Sequence, residues 1–388
     1  MKKAVFVLKA LSNGGIEHSL INLINSIENY DVTIIMSKHQ APLLPLIKKP
    51  IKVKYLTDTG LGIDTRIFIN ESFSNKKWLS LLQVSWRIGQ FLITKNMIPL
   101  NNFYLDAYPL EEEEYDIAIS YDGGLRATTS YVIQKIKAKK KIMWVHEDYS
   151  KLVKVEKETG GNVFKYFDQI FCVSKGAKDK FLELYPELKN KTEVFYSIYS
   201  KNTFYKKALN EKSDYGYKGF KILTVARLGQ EKGHDLIPEV ISKLKSGGYK
   251  FHWYLIGDDD GVKSKLEKEI KNRQIESYLS IMGGKVNPFP YYRDCDIYVQ
   301  PSRQEGYCMS MVEAMAFGKP IIATNFLTAK EFILNHGKDG LIADISSQSL
   351  YENVKQMLDD EQLRMSISKF YLQKTIDTTN EIEKFYAI

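Results

Sequence analysis

An α/β fold of two doubly wound parallel-sheet domains follows from three features of the sequence. Short apolar runs of strand length recur along the chain without alternation, as in strands buried on both faces. Stretches of helical length separate most of them, which is the βα rhythm of a parallel sheet. The chain has 388 residues, more than one ordinary core supports. The rhythm restarts at Phe220, so the second series is read as a second domain.

In the first series, strands are expected at 4–8, 32–36, 53–56, 117–120, 141–145, 170–173 and 193–195. Ser12-Asn13-Gly14-Gly15 forms a loop after the first strand, and a helix begins at Ile16. In the second series, strands are expected at 221–226, 252–256, 279–282, 297–300, 320–324 and 341–343. Residues 200–219 are polar and basic, with Gly216 and Gly219, and read as the connection. The expected domains are therefore 1–199 and 220–365, with a C-terminal helix over 366–388 packing back on the first. Two Rossmann-like domains in series place a ligand cleft at the carboxyl ends of their strands. Two segments break the rhythm. Residues 58–74 form a long loop, and 76–97 a helix rich in Trp78, Leu79, Leu82, Trp86, Phe91 and Leu92. That helix reads first as a core or interdomain element, and second as an apolar surface for a lipid-linked acceptor or a membrane. The acidic run Glu111-Glu112-Glu113-Glu114 is expected to be solvated.

Composition narrows the class. Hydrophobic residues make up 44% and charged residues 26%, the balance of a globular protein. No apolar run approaches the roughly 20 residues that span a bilayer. Lys9 interrupts the apolar start, so residues 4–8 read as a buried strand and not as an export signal. A cytoplasmic protein is expected. Cys172, Cys295 and Cys308 are too few and too far apart for a disulfide framework or a zinc site. The net charge is +8, of which +6 lies before residue 198, from 28 Lys+Arg against 22 Asp+Glu. No nucleic-acid module is present, so the basic first half points to peripheral contact with an anionic membrane, on its inner face, and not to nucleic acid.

The chemistry is concentrated in the second half. Between Gln300 and Pro320, a strand ends, a loop carrying Glu305 and Gly306 follows, and a helix runs from Met309 to Phe317. Gly318 closes it before Pro320. Amides around Gly306, Tyr307, Cys308 and Met309 then face out of a helix N-terminus, a ready site for a diphosphate. Glu313, one turn in, is placed to accept two vicinal hydroxyls such as those of a ribose. Glu305 reaches a sugar hydroxyl. In Leu223-Thr224-Val225-Ala226-Arg227-Leu228-Gly229-Gln230-Glu231-Lys232-Gly233, Arg227 and Lys232 flank a turn and converge on one anion. Arg suits bidentate phosphate contact, and Lys supplies a point charge.

Glu305 and Glu313, with Pro301-Ser302, Glu313-Ala314-Met315-Ala316 and Gly318-Lys319-Pro320, resemble the EX7E segment of glycosyltransferase family four. These are retaining enzymes of GT-B architecture, two Rossmann-like domains facing across a cleft. The resemblance implies that Arg227 and Lys232 hold the donor diphosphate and stabilise the leaving group, so no metal is needed. Asp258-Asp259-Asp260 looks like the metal site of a different transferase architecture but is read as a decoy. By the same resemblance Gly283 and Val286 hold the nucleotide base. Gly14 and Gly15 face the diphosphate, Glu17 the acceptor, and His146 the transferred sugar. Tyr196-Ser197-Ile198 stands where the family carries an Asn-Pro or Asn-Gly pair. The implied activity is transfer of a hexose or N-acetylhexosamine from a UDP-sugar, with GDP-mannose open, to a glycan acceptor in bacterial surface-polysaccharide synthesis. A lipid-linked acceptor is expected. A nucleotide-sugar epimerase, a protein glycosyltransferase, a non-catalytic partner subunit and a two-domain binding protein are the rival readings.

Overall fold

The computed structural model describes residues 1–56, 78–94, 105–106, 108–149, 160–333 and 335–388. The loop expected at 58–74 lies outside them. The chain divides into two compact units, one of residues 1–12, 16–197 and 380–388, the other of 13–15 and 198–379.

In the first unit the described strands are β1 (Lys2–Leu8), β2 (Tyr30–Met36), β3 (Lys52–Tyr55), β4 (Glu114–Ser120), β5 (Lys137–Val145), β6 (Gln169–Cys172) and β7 (Thr192–Val194). They form one sheet of order β3-β2-β1-β4-β5-β6-β7, parallel throughout. The crossovers reverse direction between β1 and β4, the switch point at which doubly wound sheets bind ligands. The middle of β1, Ala4 to Val7, is fully buried, which is why it carries no polar residue. Helices α1 (Gly15–Ser26), α2 (Trp78–Thr94), α3 (Ala127–Gln134) and α4 (Lys175–Leu184) belong to this unit.

β4 and β5 begin earlier than the apolar runs predict, because their first residues are ionic. Glu113, just ahead of β4, pairs with Lys3 at 2.7 Å and with Lys54 at 3.5 Å, and Glu111 pairs with Lys54 at 2.7 Å. The acidic run is therefore not simply solvated, since it neutralises lysines of β1 and β3. The hydrogen bond from Lys3 pulls the Glu113 carboxyl down to about 2. A depressed carboxylate contributes stability above its unfolded pKa and loses it as pH falls through the folded value. Glu113→Gln is expected to cost about 1 kcal/mol at pH 7. The cost should vanish as pH falls from about 4 towards 2, as read from urea unfolding across that range.

α2 differs from a core helix. Val84 is fully buried, but Trp78, Leu82, Trp86, Leu92 and Ile93 are exposed. At helical spacing these five share one face.

The second unit holds β8 (Phe220–Val225), β9 (Phe251–Ile256), β10 (Leu279–Ile281), β11 (Ile297–Gln300), β12 (Ile321–Thr324) and β13 (Leu341–Ala343). Their order is β10-β9-β8-β11-β12-β13, again parallel, with the switch between β8 and β11. Residues 200–219 are not merely a connection. They contain α5 (Lys201–Leu209), whose buried Phe204 stacks on Phe289 at 5.0 Å between ring centroids. The further described helices are α6 (Ile237–Ser246), α7 (Lys263–Asn272), α8 (Phe289–Asp294), α9 (Met309–Ala316), α10 (Ala329–Phe332), α11 (Ser347–Asp359), α12 (Glu361–Gln373) and α13 (Ile382–Tyr386).

The single helix expected over 366–388 is two. α12 packs on α9 and α11 and stays with the second unit. α13 joins the first. Its Phe385 is fully buried and packs on Phe6 and Tyr30, at 6.3 and 5.5 Å. Lys384 Nζ donates to the Val194 carbonyl at 2.8 Å.

Candidate active site

The site is built on the carboxyl ends of β8, β9, β10 and β11, neighbours in the second sheet. After β8 the chain turns through Arg227 to Gly233, which sits at φ 68°. A Cβ there would lie 1.9 Å from the Pro301 carbonyl oxygen. Only glycine lets these two loops close on each other. Backbone amides of Arg303 and Gln304 donate to the Glu231 carbonyl at 2.7 and 3.3 Å. Arg303 also forms a bidentate pair with Asp235, both distances 2.7 Å.

This closure brings Lys232 to Glu305. Lys232 Nζ lies 2.9 Å from Glu305 Oε2, and the two side chains are only 19% and 10% exposed. Burial works against the ammonium, but the Glu305 carboxylate outweighs it and holds Lys232 above its ordinary pKa. Glu305 Oε1 accepts from Ser302 Oγ at 2.7 Å and from Gln300 Nε2 at 3.1 Å. The carboxylate is thus fixed by three donors, which suits orienting a substrate more than taking a proton.

Arg227 is half exposed beside them. Its Nη2 lies 2.8 Å from Glu231 Oε1 and its Nη1 lies 3.0 Å from Asp260 Oδ2. The three aspartates after β9 diverge. Asp259 Oδ1 accepts from the amides of Gly261, Val262 and Lys263 at 3.0 to 3.1 Å, in the loop that leads into α7. Asp258 points its carboxylate at Gly284, where a Cβ would meet it at 2.0 Å. Gly283, at φ 70°, accepts the Gly257 amide through its carbonyl at 3.0 Å, and Val286 is exposed.

α9 starts where the sequence places it, at Met309. Tyr307 is buried, and its hydroxyl meets the Tyr199 hydroxyl at 2.8 Å. Cys308 takes a left-handed conformation at the helix start, φ 63° and ψ 63°. Such a non-glycine residue costs on the order of 1 kcal/mol, and strain of this kind collects at functional sites. Glu313 sits one turn further on. Burial pushes its carboxyl up to about 7, against the Tyr292 hydroxyl and Lys207, which pull it down.

In the first unit, Glu17 accepts from Ser12 Oγ at 3.2 Å just inside α1, which begins at Gly15 after Gly14. His146 follows β5. Its ring lies 4.8 Å from that of Tyr121, and its Nε2 is buried without a partner. Burial drives its pKa down to about 3, so the imidazole is neutral. A neutral imidazole donates or accepts a hydrogen bond and does not act as a cation. Of the residues predicted from sequence, Arg227, Lys232, Glu305 and Gly306 share the joined loops of the second unit. Glu17 and His146 lie in the first. The sequence reading missed Glu231 and Asp260 on Arg227, and Gln300 and Ser302 on Glu305. Nothing local marks them, because each acts across a turn or from another strand.

Residues 206–371 match the family model described as glycosyl transferases group 1. An uncharacterized glycosyltransferase of Methanocaldococcus jannaschii is 32% identical over 220 residues, 54% of this chain and 56% of that protein. A Campylobacter jejuni protein is 24% identical over 225 residues, 58% of this chain and 59% of the relative. It is named N-acetylgalactosamine-N,N'-diacetylbacillosaminyl-diphospho-undecaprenol 4-alpha-N-acetylgalactosaminyltransferase. The chain thus spans under two thirds of the length of these two relatives. Among solved structures, Anabaena HepE in complex with UDP and glucose aligns with a TM-score of 0.73 at 16% identity, covering 100% of this chain and 99% of that one. The fold is GT-B, with a parallel sheet in each unit.

Proposed function

We propose that this chain is a retaining glycosyltransferase that moves a hexose or N-acetylhexosamine from a nucleoside diphosphate sugar to a glycan hydroxyl. A UDP-sugar is favoured, and the HepE complex with UDP supports it. The observation that carries the reading is the pairing of Lys232 with Glu305 at 2.9 Å beside Arg227, at the carboxyl ends of one sheet. Transfer develops positive charge on the sugar and negative charge on the departing diphosphate. Stabilising that leaving group is the main electrostatic task, and fixed donors do it best. Lys232 and Arg227 supply the charge, and α9 presents its amino end to it. This charge makes the reaction metal-independent in our reading. Glu305 orients the transferred sugar, and Glu313 receives the ribose. The acceptor hydroxyl attacks from the face the diphosphate leaves, and the phosphate takes its proton.

The acceptor is read as a lipid-linked glycan in cell-surface polysaccharide synthesis, and the Campylobacter relative's name gives a diphospho-undecaprenol-linked glycan as that protein's acceptor. The exposed face of α2 favours contact with a membrane. Residues 76–97 hold Lys76, Lys77, Arg87 and Lys95 and no acid, which suits an anionic surface. No described helix is long and apolar enough to cross a membrane. Two measurements test these readings. UDP and GDP, each with and without its sugar, are titrated by calorimetry. Transfer without inversion at the anomeric carbon is then read by NMR. Isomerised sugar in the absence of acceptor would favour an epimerase instead. Sedimentation with anionic vesicles at low salt tests the membrane contact, which Trp86→Asp is expected to abolish.

A further inference from the structure

The guanidinium that this reading assigns to the donor diphosphate is already engaged. Arg227 is held on one side by Glu231 at 2.8 Å and on the other by Asp260 at 3.0 Å. The backbone fixes both partners. Leu228 N donates to Asp258 O at 2.8 Å and Asp260 N to Leu228 O at 3.1 Å, which carries the Asp260 carboxylate to Arg227. Glu231 folds back over Gly229, where a Cβ would meet its carboxylate oxygens at 2.7 Å. Of the three adjacent aspartates, Asp259 is committed to the amides of Gly261, Val262 and Lys263, and Asp258 lies against Gly284. Asp260 alone of the three is paired with Arg227.

A carboxylate and a phosphate ask the same thing of a guanidinium, two N–H groups in one plane. The Arg227 nitrogens paired with Asp260 and Glu231 are therefore those a diphosphate needs. Binding exchanges one ion pair for another, so the carboxylate and the diphosphate compete for the same guanidinium. We propose that Asp260 is a positioning residue that competes with the diphosphate for Arg227. It keeps the guanidinium extended and ordered when the site is empty. It lowers the affinity for the nucleoside diphosphate and so hastens release of the product. This inference rests on the donor reading above. It gives the acidic run after β9 a role in the reaction, with no metal involved.

Asp260→Asn removes the charge and keeps the shape, at a side chain half exposed to solvent. An exposed ion pair of this kind is worth enough to change Kd by roughly two- to fivefold. UDP is therefore expected to bind Asp260→Asn roughly two- to fivefold more tightly than the unsubstituted chain at low salt. The donor KM should fall in step. Kcat should fall with them where product release limits turnover. The gap should narrow as sodium chloride is raised, because exposed charges are screened. Asp260→Glu should restore the unsubstituted Kd. In an Arg227→Ala background Asp260→Asn should leave Kd unchanged. Equal or weaker UDP binding by Asp260→Asn overturns the inference alone, as does tightening that persists without Arg227. Failure of the unsubstituted chain to bind UDP or GDP overturns the donor reading and this inference together.

Discussion

Lys232→Ala is expected to lower kcat by about 10²- to 10³-fold, the scale seen when one preorganised donor to a developing oxyanion is removed. The donor KM should change far less, because the charge matters most as the diphosphate departs. The same substitution should destabilise the fold. Glu305 is only 10% exposed and keeps its bonds from Ser302 and Gln300, but loses its counter-charge. Breaking a buried pair from one side costs roughly 3–5 kcal/mol, and the partial exposure here favours the lower end. The double variant Lys232→Met with Glu305→Gln separates the two effects. It should recover most of the lost stability in urea unfolding and none of the turnover. Wild-type kcat in Lys232→Ala would remove the leaving-group role. Recovered turnover in the double variant would do the same.

The second large effect concerns Glu313 and has two signs. Its folded carboxyl titrates at about 7, raised chiefly by burial. In the proposed reading the carboxylate accepts both hydroxyls of a ribose, which the acid does poorly. Donor affinity should therefore fall as pH drops below about 7 and level off above it. Glu313→Gln should weaken donor binding by roughly 10- to 100-fold, the value of hydrogen bonds to a charged acceptor. It should also flatten the pH dependence. Folding responds the opposite way. A carboxyl whose pKa is raised on folding contributes stability below its unfolded pKa and loses it as pH rises through the folded value. Glu313→Gln is neutral at every pH. Above pH 7 it should be more stable than the parent, by on the order of 3 kcal/mol, and below pH 4 about equal. Calorimetric titration of UDP and urea unfolding, each at pH 5 and pH 8, check both halves. A pH-independent donor Kd in the parent chain would refute the role given to Glu313.

The strands were legible because their signal is local. A run such as Ile297-Tyr298-Val299-Gln300 or Ile321-Ile322-Ala323-Thr324 is buried on both faces and needs no partner to be recognised. The errors fell where ends are polar or segments short. Glu114 and Lys137 through Lys140 extend β4 and β5 through ionic residues, against the apolar rule. α5 reads as connection in the sequence because only Phe204 and Ala208, four apart, face inward, a thin stripe in a polar segment. The chain after Thr379 reads as continuous with the preceding helix because sequence does not show that Phe385 packs on Phe6.

The sequence alone determined that this chain has two parallel-sheet units, a cationic pair and an EX7E-like segment. Each of these is written in residues a few positions apart, where backbone geometry fixes the relation. Tertiary structure decided what those residues do to one another. Gly233 against Pro301 joins two loops nearly 70 residues apart and presses Lys232 onto Glu305. Asp260 reaches Arg227 only through the ladder between β8 and β9. The neutral state of His146 and the raised carboxyl of Glu313 come from burial by distant segments. Charge and desolvation act through space, so a donor site's residues can be read along the chain while their protonation and pairing belong to the folded molecule.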